Sequence, residues 1–254
     1  MSTDAILDQA ELSLNNRDVA GAERILTQQW PDMARAPGDV LNLMAMVRLA
    51  QGKGGEAERL IRGAISAEPN SLRHHIQMGH ILTALGNHSG AVEAFTNASR
   101  IDPKWPGVFV VLSQAFYSLE RFNDAERSAR QAVANTPTSG AFEALSNALR
   151  AQGKAQDALN AADEALRLDW QDPNAQHARA AALMQLNRPQ DALTIFDELR
   201  SRGIDLPVLH MNRGAALEAL GRKDEARAVY EEAARRWPNL PNLQDRVAAA
   251  RKRV

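Results

Sequence analysis

Residues 72–104 read LRHHIQMGHILTALGNHSGAVEAFTNASRIDPK, and this stretch decides the fold. It contains two segments rich in helix-forming residues, separated by Gly86 and followed by a proline. In the second segment Ala91, Phe95 and Ala98 succeed one another at steps of four and three, which places them on one face of a helix. Glycine readily adopts the left-handed conformation that ends many helices. The stretch therefore predicts two amphipathic helices joined by a tight turn.

The same pattern recurs along the chain with a period of about 34 residues. Seven of the eleven prolines are separated by 32, 34, 34, 36, 34 and 31 residues; they are Pro37, Pro69, Pro103, Pro137, Pro173, Pro207 and Pro238. The alanines that align with Ala91 are separated by 35, 34, 34, 33, 34 and 34 residues; they are Ala22, Ala57, Ala91, Ala125, Ala158, Ala192 and Ala226, called here the ladder alanines. Proline interrupts helices, so this spacing excludes one long helix and indicates an array of helical repeats.

A characteristic residue also occurs in the turn between the two helices of most repeats. Five residues before a ladder alanine stands a residue that tolerates the left-handed conformation, at Gly52, Gly86, Gly153, Asn187 and Gly221. Arg17 and Glu120 depart from this rule in the first and fourth repeats.

These residues together resemble the tetratricopeptide repeat, with a bulky residue, an apolar-small pair, then Gly, Ala, an aromatic and Pro. The resemblance implies an all-α fold, a right-handed superhelical solenoid of antiparallel helix pairs. It covers the chain as one domain of seven repeats, at about 3–37, 38–71, 72–105, 106–138, 139–172, 173–206 and 207–240. Residues 241–254 are predicted to form a capping helix, with Leu243, Val247, Ala250 and Val254 on one face.

Composition excludes several classes of protein. A net charge of −1 opposes binding to nucleic acid through bulk charge. The absence of cysteine excludes disulfides, thiolate metal sites and a cysteine nucleophile. The sequence shows no secretory signal and no apolar run long enough to enter a membrane, so a cytoplasmic location is the default expectation.

No constellation of catalytic residues stands out, so we expect no enzyme and no cofactor. His74, His75 and His80 lie close together in the third repeat, but the five-residue step from His75 to His80 suits a shared metal poorly. We therefore interpret them as ordinary packing or polar residues and predict no metal. The four tryptophans, Trp30, Trp105, Trp170 and Trp237, stand near repeat junctions, where packing between repeats is expected.

The resemblance also implies where a ligand would bind. In this family the first helix of each repeat lines a concave groove, and its exposed positions contact peptides. Carried over by position, the groove residues are Asn42, Met46, Arg73, Ile76, His80, Val110, Gln114, Tyr117, Glu143, Asn147, Arg150, His177, Met184 and Met211. The amides can bond an extended backbone and the methionines adapt to apolar side chains. Some members of this family hold the C-terminal carboxylate of a peptide with lysines and asparagines. The matching positions in this sequence have no lysine.

The sequence therefore predicts a non-enzymatic scaffold that binds a peptide or a partner protein in its groove. Two alternatives stay open. The chain could self-associate through its terminal repeats, or it could be the regulatory module of a transferase, sulfotransferase or hydroxylase system. RNA binding and membrane insertion are not expected.

Overall fold

The computed structural model describes residues 2–239 and 243–252, and every regular element there is helical. The chain divides into two compact units, one ending at Arg121 and the other beginning at Phe122. The prediction of an all-α fold built from consecutive helix pairs is confirmed.

The first unit contains three helix pairs and one further helix, with a 3₁₀ turn at Met33–Arg35. Each pair is joined by a short turn, and each helix packs on the next in sequence. In addition α3 contacts α1, and α5 contacts α3, so the first helices of successive pairs are neighbours. The helices are α1 Thr3–Asn15, α2 Val19–Gln29, α3 Gly38–Ala50, α4 Gly54–Ala67, α5 Leu72–Ala84, α6 His88–Ile101 and α7 Pro106–Ser118.

The second unit repeats this arrangement and ends on a further helix. Here α11 contacts α9, and α13 contacts α11, in addition to the contacts between consecutive helices. Its helices are α8 Phe122–Asn135, α9 Ser139–Ala151, α10 Ala155–Leu168, α11 Pro173–Gln185, α12 Pro189–Ser201, α13 Pro207–Ala219, α14 Lys223–Arg236 and α15 Leu243–Lys252.

Within each unit, the ladder alanines lie at the seams of the helix pairs. All seven have no exposed surface, as the pattern predicts. The residue four positions later is also buried in every repeat, including Phe95, Phe196 and Tyr230. A methyl group at a ladder position allows two paired helices to approach closely. In five of the seven repeats the residue one turn on is larger than alanine and fills the space beside the contact; these residues are Leu26, Ile61, Phe95, Phe196 and Tyr230.

The turns between paired helices share one backbone conformation. The five predicted turn residues have positive φ, between 57° and 77°. Arg17 and Glu120 adopt the same left-handed conformation, with φ of 62° and 57°, although neither is glycine or asparagine. The geometry of the helix pair therefore prevails over the preference of these two residues.

A final helix, α15, lies within the range 241–254 of the predicted capping helix. Leu243 and Val247 are buried, with 0% and 5% of their surface exposed, and α15 packs against α14. Pro241, Val254 and the side chain of Ala250 lie outside the described residues. Of the tryptophans, Trp237 packs edge-on against His210, with ring centroids 5.3 Å apart. Trp170 is 69% exposed and contributes little to packing, contrary to the expectation for it.

Candidate functional site

The first helices of the first unit form the walls of a small pocket. It has a volume of about 280 Å³ and lies among α1, α3 and α5. Three predicted groove residues, Asn42, Met46 and Arg73, meet in its lining. The other lining residues are Glu11, Leu14, Asn15 and Gln77. We call this cavity the α1–α3–α5 pocket.

Asn42 occupies an unusual place in this pocket. The sequence pattern suggests an exposed side chain, yet Asn42 is only 2% exposed because α1 packs against α3 on this side. Its Oδ1 atom is buried and has no hydrogen-bond partner among the described residues. A buried acceptor left without a donor destabilises a fold by about 1–3 kcal/mol, so such atoms are uncommon away from functional sites.

An ion pair connects α1 and α5 beside Asn42. The guanidinium of Arg73 donates to Glu11 Oε1 at 2.7 Å, between residues 62 positions apart. Both side chains are substantially exposed, at 57% and 37%. Exposed ion pairs contribute at most about 1 kcal/mol, so a charged ligand group could separate the two at little cost.

The remaining predicted residues of this unit do not line the pocket. His80 is exposed and lies edge-on to Phe95, with ring centroids 5.4 Å apart. Ile76, Val110 and Tyr117 are half-buried, and Gln114 is exposed.

In the second unit, Glu143 and Asn147 form a polar pair on α9. The Asn147 amide donates to Glu143 Oε1 at 3.0 Å. Burial raises the pKa of Glu143, and the nearby carboxylate of Asp172 raises it further. Burial and Asp172 therefore disfavour the charged form of Glu143, and a cationic group of a ligand would stabilise that form.

His177 on α11 lies within hydrogen-bond distance of Asn212 on α13. The Asn212 amide lies 2.7 Å from its Nε2 atom and can donate to it. Burial lowers the pKa of His177, and the charge of Arg150 lowers it further. Asn212 was not predicted as a site residue. The signal that could have identified it is its position 35 residues after His177, about one repeat along the chain.

His177 also lines a second pocket of about 280 Å³, together with the exposed apolar side chains of Leu206 and Val208. The other predicted residues of this unit, Arg150, Met184 and Met211, are half-buried and lie outside its lining. The backbone oxygen of Arg150 accepts a hydrogen bond from Gln185, which connects α9 to α11.

Two larger cavities were not anticipated. One of about 570 Å³ lies among α4, α5 and α6, and one of about 430 Å³ lies among the 3₁₀ turn, α3 and α4. Both involve second helices of pairs, whereas the resemblance directed attention to first helices alone.

The helix pairs of both units define a protein built from helical hairpin repeats. Family models described as tetratricopeptide repeat match residues 110–173, 177–241 and 75–104. The chain belongs to the tetratricopeptide repeat family. No curated protein sequence was found to match it.

Solved structures share this fold at low sequence identity. A tetratricopeptide repeat protein from Parabacteroides merdae ATCC 43184 is 14% identical with a TM-score of 0.81, covering 97% of this chain and 98% of that chain. PilW, described as a widely conserved type IV pilus biogenesis factor, is 20% identical with a TM-score of 0.70, covering 82% and 97%. A thermophilic tetratricopeptide repeat protein of Thermus thermophilus is 24% identical with a TM-score of 0.65, covering 71% and 98%. These likenesses concern the fold.

Within the described residues, each helix is too short or too polar to cross a bilayer.

Proposed function

We propose that this chain is a non-enzymatic interaction scaffold, and that its α1–α3–α5 pocket binds an extended peptide segment of a partner protein. Membership of a family whose members commonly bind proteins supports the broader statement. The buried, unpartnered Oδ1 of Asn42 supports the proposal that a peptide binds in the α1–α3–α5 pocket.

The chemistry of the pocket suits a peptide backbone. Asn42 Oδ1 needs a donor, and an extended chain presents a backbone N–H at every residue other than proline. Leu14 and Met46 supply apolar contact area beside it, and methionine adapts to side chains of different shape. Arg73 and Glu11 offer one charge of each sign, which favours a ligand with a polar or charged group next to an apolar anchor.

The other predicted groove positions are proposed as further ligand contacts within their own units. They are Ile76, His80, Val110, Gln114 and Tyr117 in the first unit, and Glu143, Asn147, Arg150, His177, Met184 and Met211 in the second. The raised pKa of Glu143 supports a basic ligand residue in the second unit, because a cation would stabilise the ionised carboxylate.

The replacement Asn42→Leu tests the role of the pocket. Leucine has the same branched side-chain skeleton as asparagine but no acceptor, so the variant should be as stable as the parent or more stable. Peptides selected from a random phage-displayed library on the parent chain would be synthesised, and their affinities measured by fluorescence anisotropy. We expect binding to Asn42→Leu to weaken by about 10-fold or more, the equivalent of losing one buried hydrogen bond.

The matched control is Asn160→Leu, on the exposed face of α10 in the other unit. It should leave the affinity unchanged. If Asn42→Leu binds the selected peptides as well as the parent does, the pocket is not the peptide site.

A second candidate, self-association through the first helix pair, is favoured by one observation. Leu12 on α1 is 60% exposed, the highest exposure of a large aliphatic side chain among the described residues. Light scattering across a concentration series, with the variant Leu12→Glu, tests it. A monomer at every concentration contradicts this candidate, and a dimer that Leu12→Glu abolishes supports it.

A further inference from the structure

Three potential metal ligands converge where the second helix pair meets the third. Asp39 is the second residue of α3, Glu68 follows the last residue of α4, and His74 is the third residue of α5. One oxygen of each carboxylate and one ring nitrogen of His74 all lie within 4.8 Å of one another. The three side chains come from different helices, so the fold and not the local sequence brings them together.

The ring of His74 is buried and turns its Nε2 atom toward Asp39. The side chain is fully buried, and its Nε2 atom lies 3.3 Å from Asp39 Oδ1. Its Nδ1 atom is buried with no hydrogen-bond partner among the described residues. Nε2 is the nitrogen that faces Asp39, so it is the atom that an ion between the two side chains would take as its ligand.

The nitrogen-bearing edge of His74 faces the carboxylates across Gly38. A β-carbon placed on Gly38 would stand 3.0 Å from His74 Cε1 and 2.6 Å from Glu68 Oε1. Since Cε1 is bonded to both ring nitrogens, this proximity turns that edge of the ring toward Glu68. Glycine at position 38 keeps the space between the two side chains open.

The charges at this junction are unbalanced. Two carboxylates lie together, and neither makes an ion pair with a lysine or arginine in the described part of the chain. Glu68 stands at the C-terminal end of α4, where the helix dipole adds further negative potential. A bound cation would relieve the repulsion.

We propose that Asp39, Glu68 and His74 bind one divalent transition-metal ion of the Zn²⁺ type, with water completing its coordination. Zn²⁺ takes imidazole nitrogen and carboxylate oxygen at about 2.0–2.2 Å, which separates neighbouring ligand atoms of a tetrahedron by about 3.3 Å. The observed 3.3 Å between His74 Nε2 and Asp39 Oδ1 already has this value, so Nε2 is the coordinating nitrogen. Glu68 is exposed and can rotate to close the remaining distance. Ca²⁺ and Mg²⁺ fit less well, because they prefer oxygen ligands throughout.

The ion would link the two helix pairs, since it holds α3 and the end of α4 to the first turn of α5. This role is independent of peptide binding in the pocket.

The chain contains a natural comparison. His210 is also buried and lies 2.8 Å from the carboxylate of Asp205. There, however, Asp205 already pairs with Arg236, and no second carboxylate joins the group among the described residues. His210→Gln is therefore the matched control for His74.

The test uses the full chain, with any affinity tag removed and bound metal stripped by a chelator. Zn²⁺ is titrated in by calorimetry, and the thermal unfolding midpoint is recorded with and without the ion. We expect one strong site per chain and a rise in the midpoint, since the ion binds the folded state. Glu68→Gln and Asp39→Asn should each weaken binding by about 10-fold or more, and His210→Gln should not.

Glu68 is exposed, so Glu68→Gln folds normally and keeps the test decisive. NMR of the histidine rings adds an independent measurement, in which Zn²⁺ should shift the His74 signals. Absence of binding by the parent chain overturns the proposal. So does equal affinity in Glu68→Gln, or a shift confined to His75, His80 or His88, because the ion would then lie elsewhere.

Discussion

Gly79 on α5 lies directly against the ring of Phe95 on α6. A β-carbon at Gly79 would stand 2.3 Å from Phe95 Cε1, well inside contact distance. The last pair of the second unit has the same arrangement, with Gly214 against Tyr230 at 2.3 Å. In both pairs the aromatic ring takes the space that a side chain on the facing helix would occupy.

Gly79→Ala should therefore destabilise the protein by about 1–3 kcal/mol, because the buried ring of Phe95 has to move. Urea unfolding followed by circular dichroism would measure the change. The control is Gly55→Ala on α4, where no atom lies within 4 Å of the added carbon. That variant should gain about 0.4–1 kcal/mol through the unfolded state. Equal stabilities of the two variants would contradict the close contact.

Ala158→Phe should also destabilise by about 1–3 kcal/mol, through overpacking of the seam between α9 and α10. Ala158 is fully buried, and its carbonyl accepts a hydrogen bond from Ser146 across the seam at 2.8 Å. Asn160→Phe, on the exposed face of the same helix, serves as the control and should change the melting temperature little. A parental melting temperature for Ala158→Phe refutes the seam.

Arg17→Gly should stabilise the first helix pair by up to about 1 kcal/mol, because residue 17 has φ of 62° and glycine adopts that conformation without strain. Arg24→Gly makes the same replacement at an exposed position inside α2 and should lose about 1 kcal/mol. Denaturation midpoints of the two variants should therefore move in opposite directions. Loss of stability in both would contradict the strain at residue 17.

Glu126 should make stability depend on pH in acid. Burial alone would raise its pKa, but hydrogen bonds from Lys154, Arg130 and Gln152 outweigh burial and lower the pKa to about 2. Its ordinary value is 4.5, so the carboxylate stabilises the fold fully above that pH, and this contribution is lost as pH falls toward 2.

Glu126→Gln should lower the free energy of unfolding at pH 7 and reduce its loss between pH 5 and pH 2, with urea titrations at each pH as the measurement. Glu164→Gln is the control, since Glu164 pairs with Arg167 on an exposed surface and should contribute less than about 1 kcal/mol. An unchanged pH profile in Glu126→Gln would contradict the assignment.

The seams and turns could be predicted because they repeat. Burial of a ladder alanine follows from its helical face, and the period gives seven independent instances of it. The turn at Arg17 shows the limit of reasoning from residue preference. Its left-handed backbone is imposed by the helices on both sides, and the preference of arginine alone argues against it.

The candidate sites were less predictable, since they depend on contacts between residues far apart in sequence. The burial of Asn42 results from the packing of α1 against α3, which the pattern within one repeat does not encode. His74 contacts Asp39 from 35 residues earlier, whereas the pattern within one repeat relates His74 only to its neighbouring histidines. In a repeat protein, residues about one period apart can contact each other as residues one helical turn apart do, and both kinds of pair bear on where a site forms.

The ladder alanines have a further consequence, for the entropy of folding. Alanine has no side-chain rotamers, so closing a seam made of methyl groups freezes no side-chain torsions, whereas each buried leucine or isoleucine costs about 0.5–1 kcal/mol in lost freedom. All seven ladder positions are fully buried. Burial of these alanines therefore stabilises the fold with no loss of side-chain entropy. On heating, unfolding gains no side-chain entropy at these contacts.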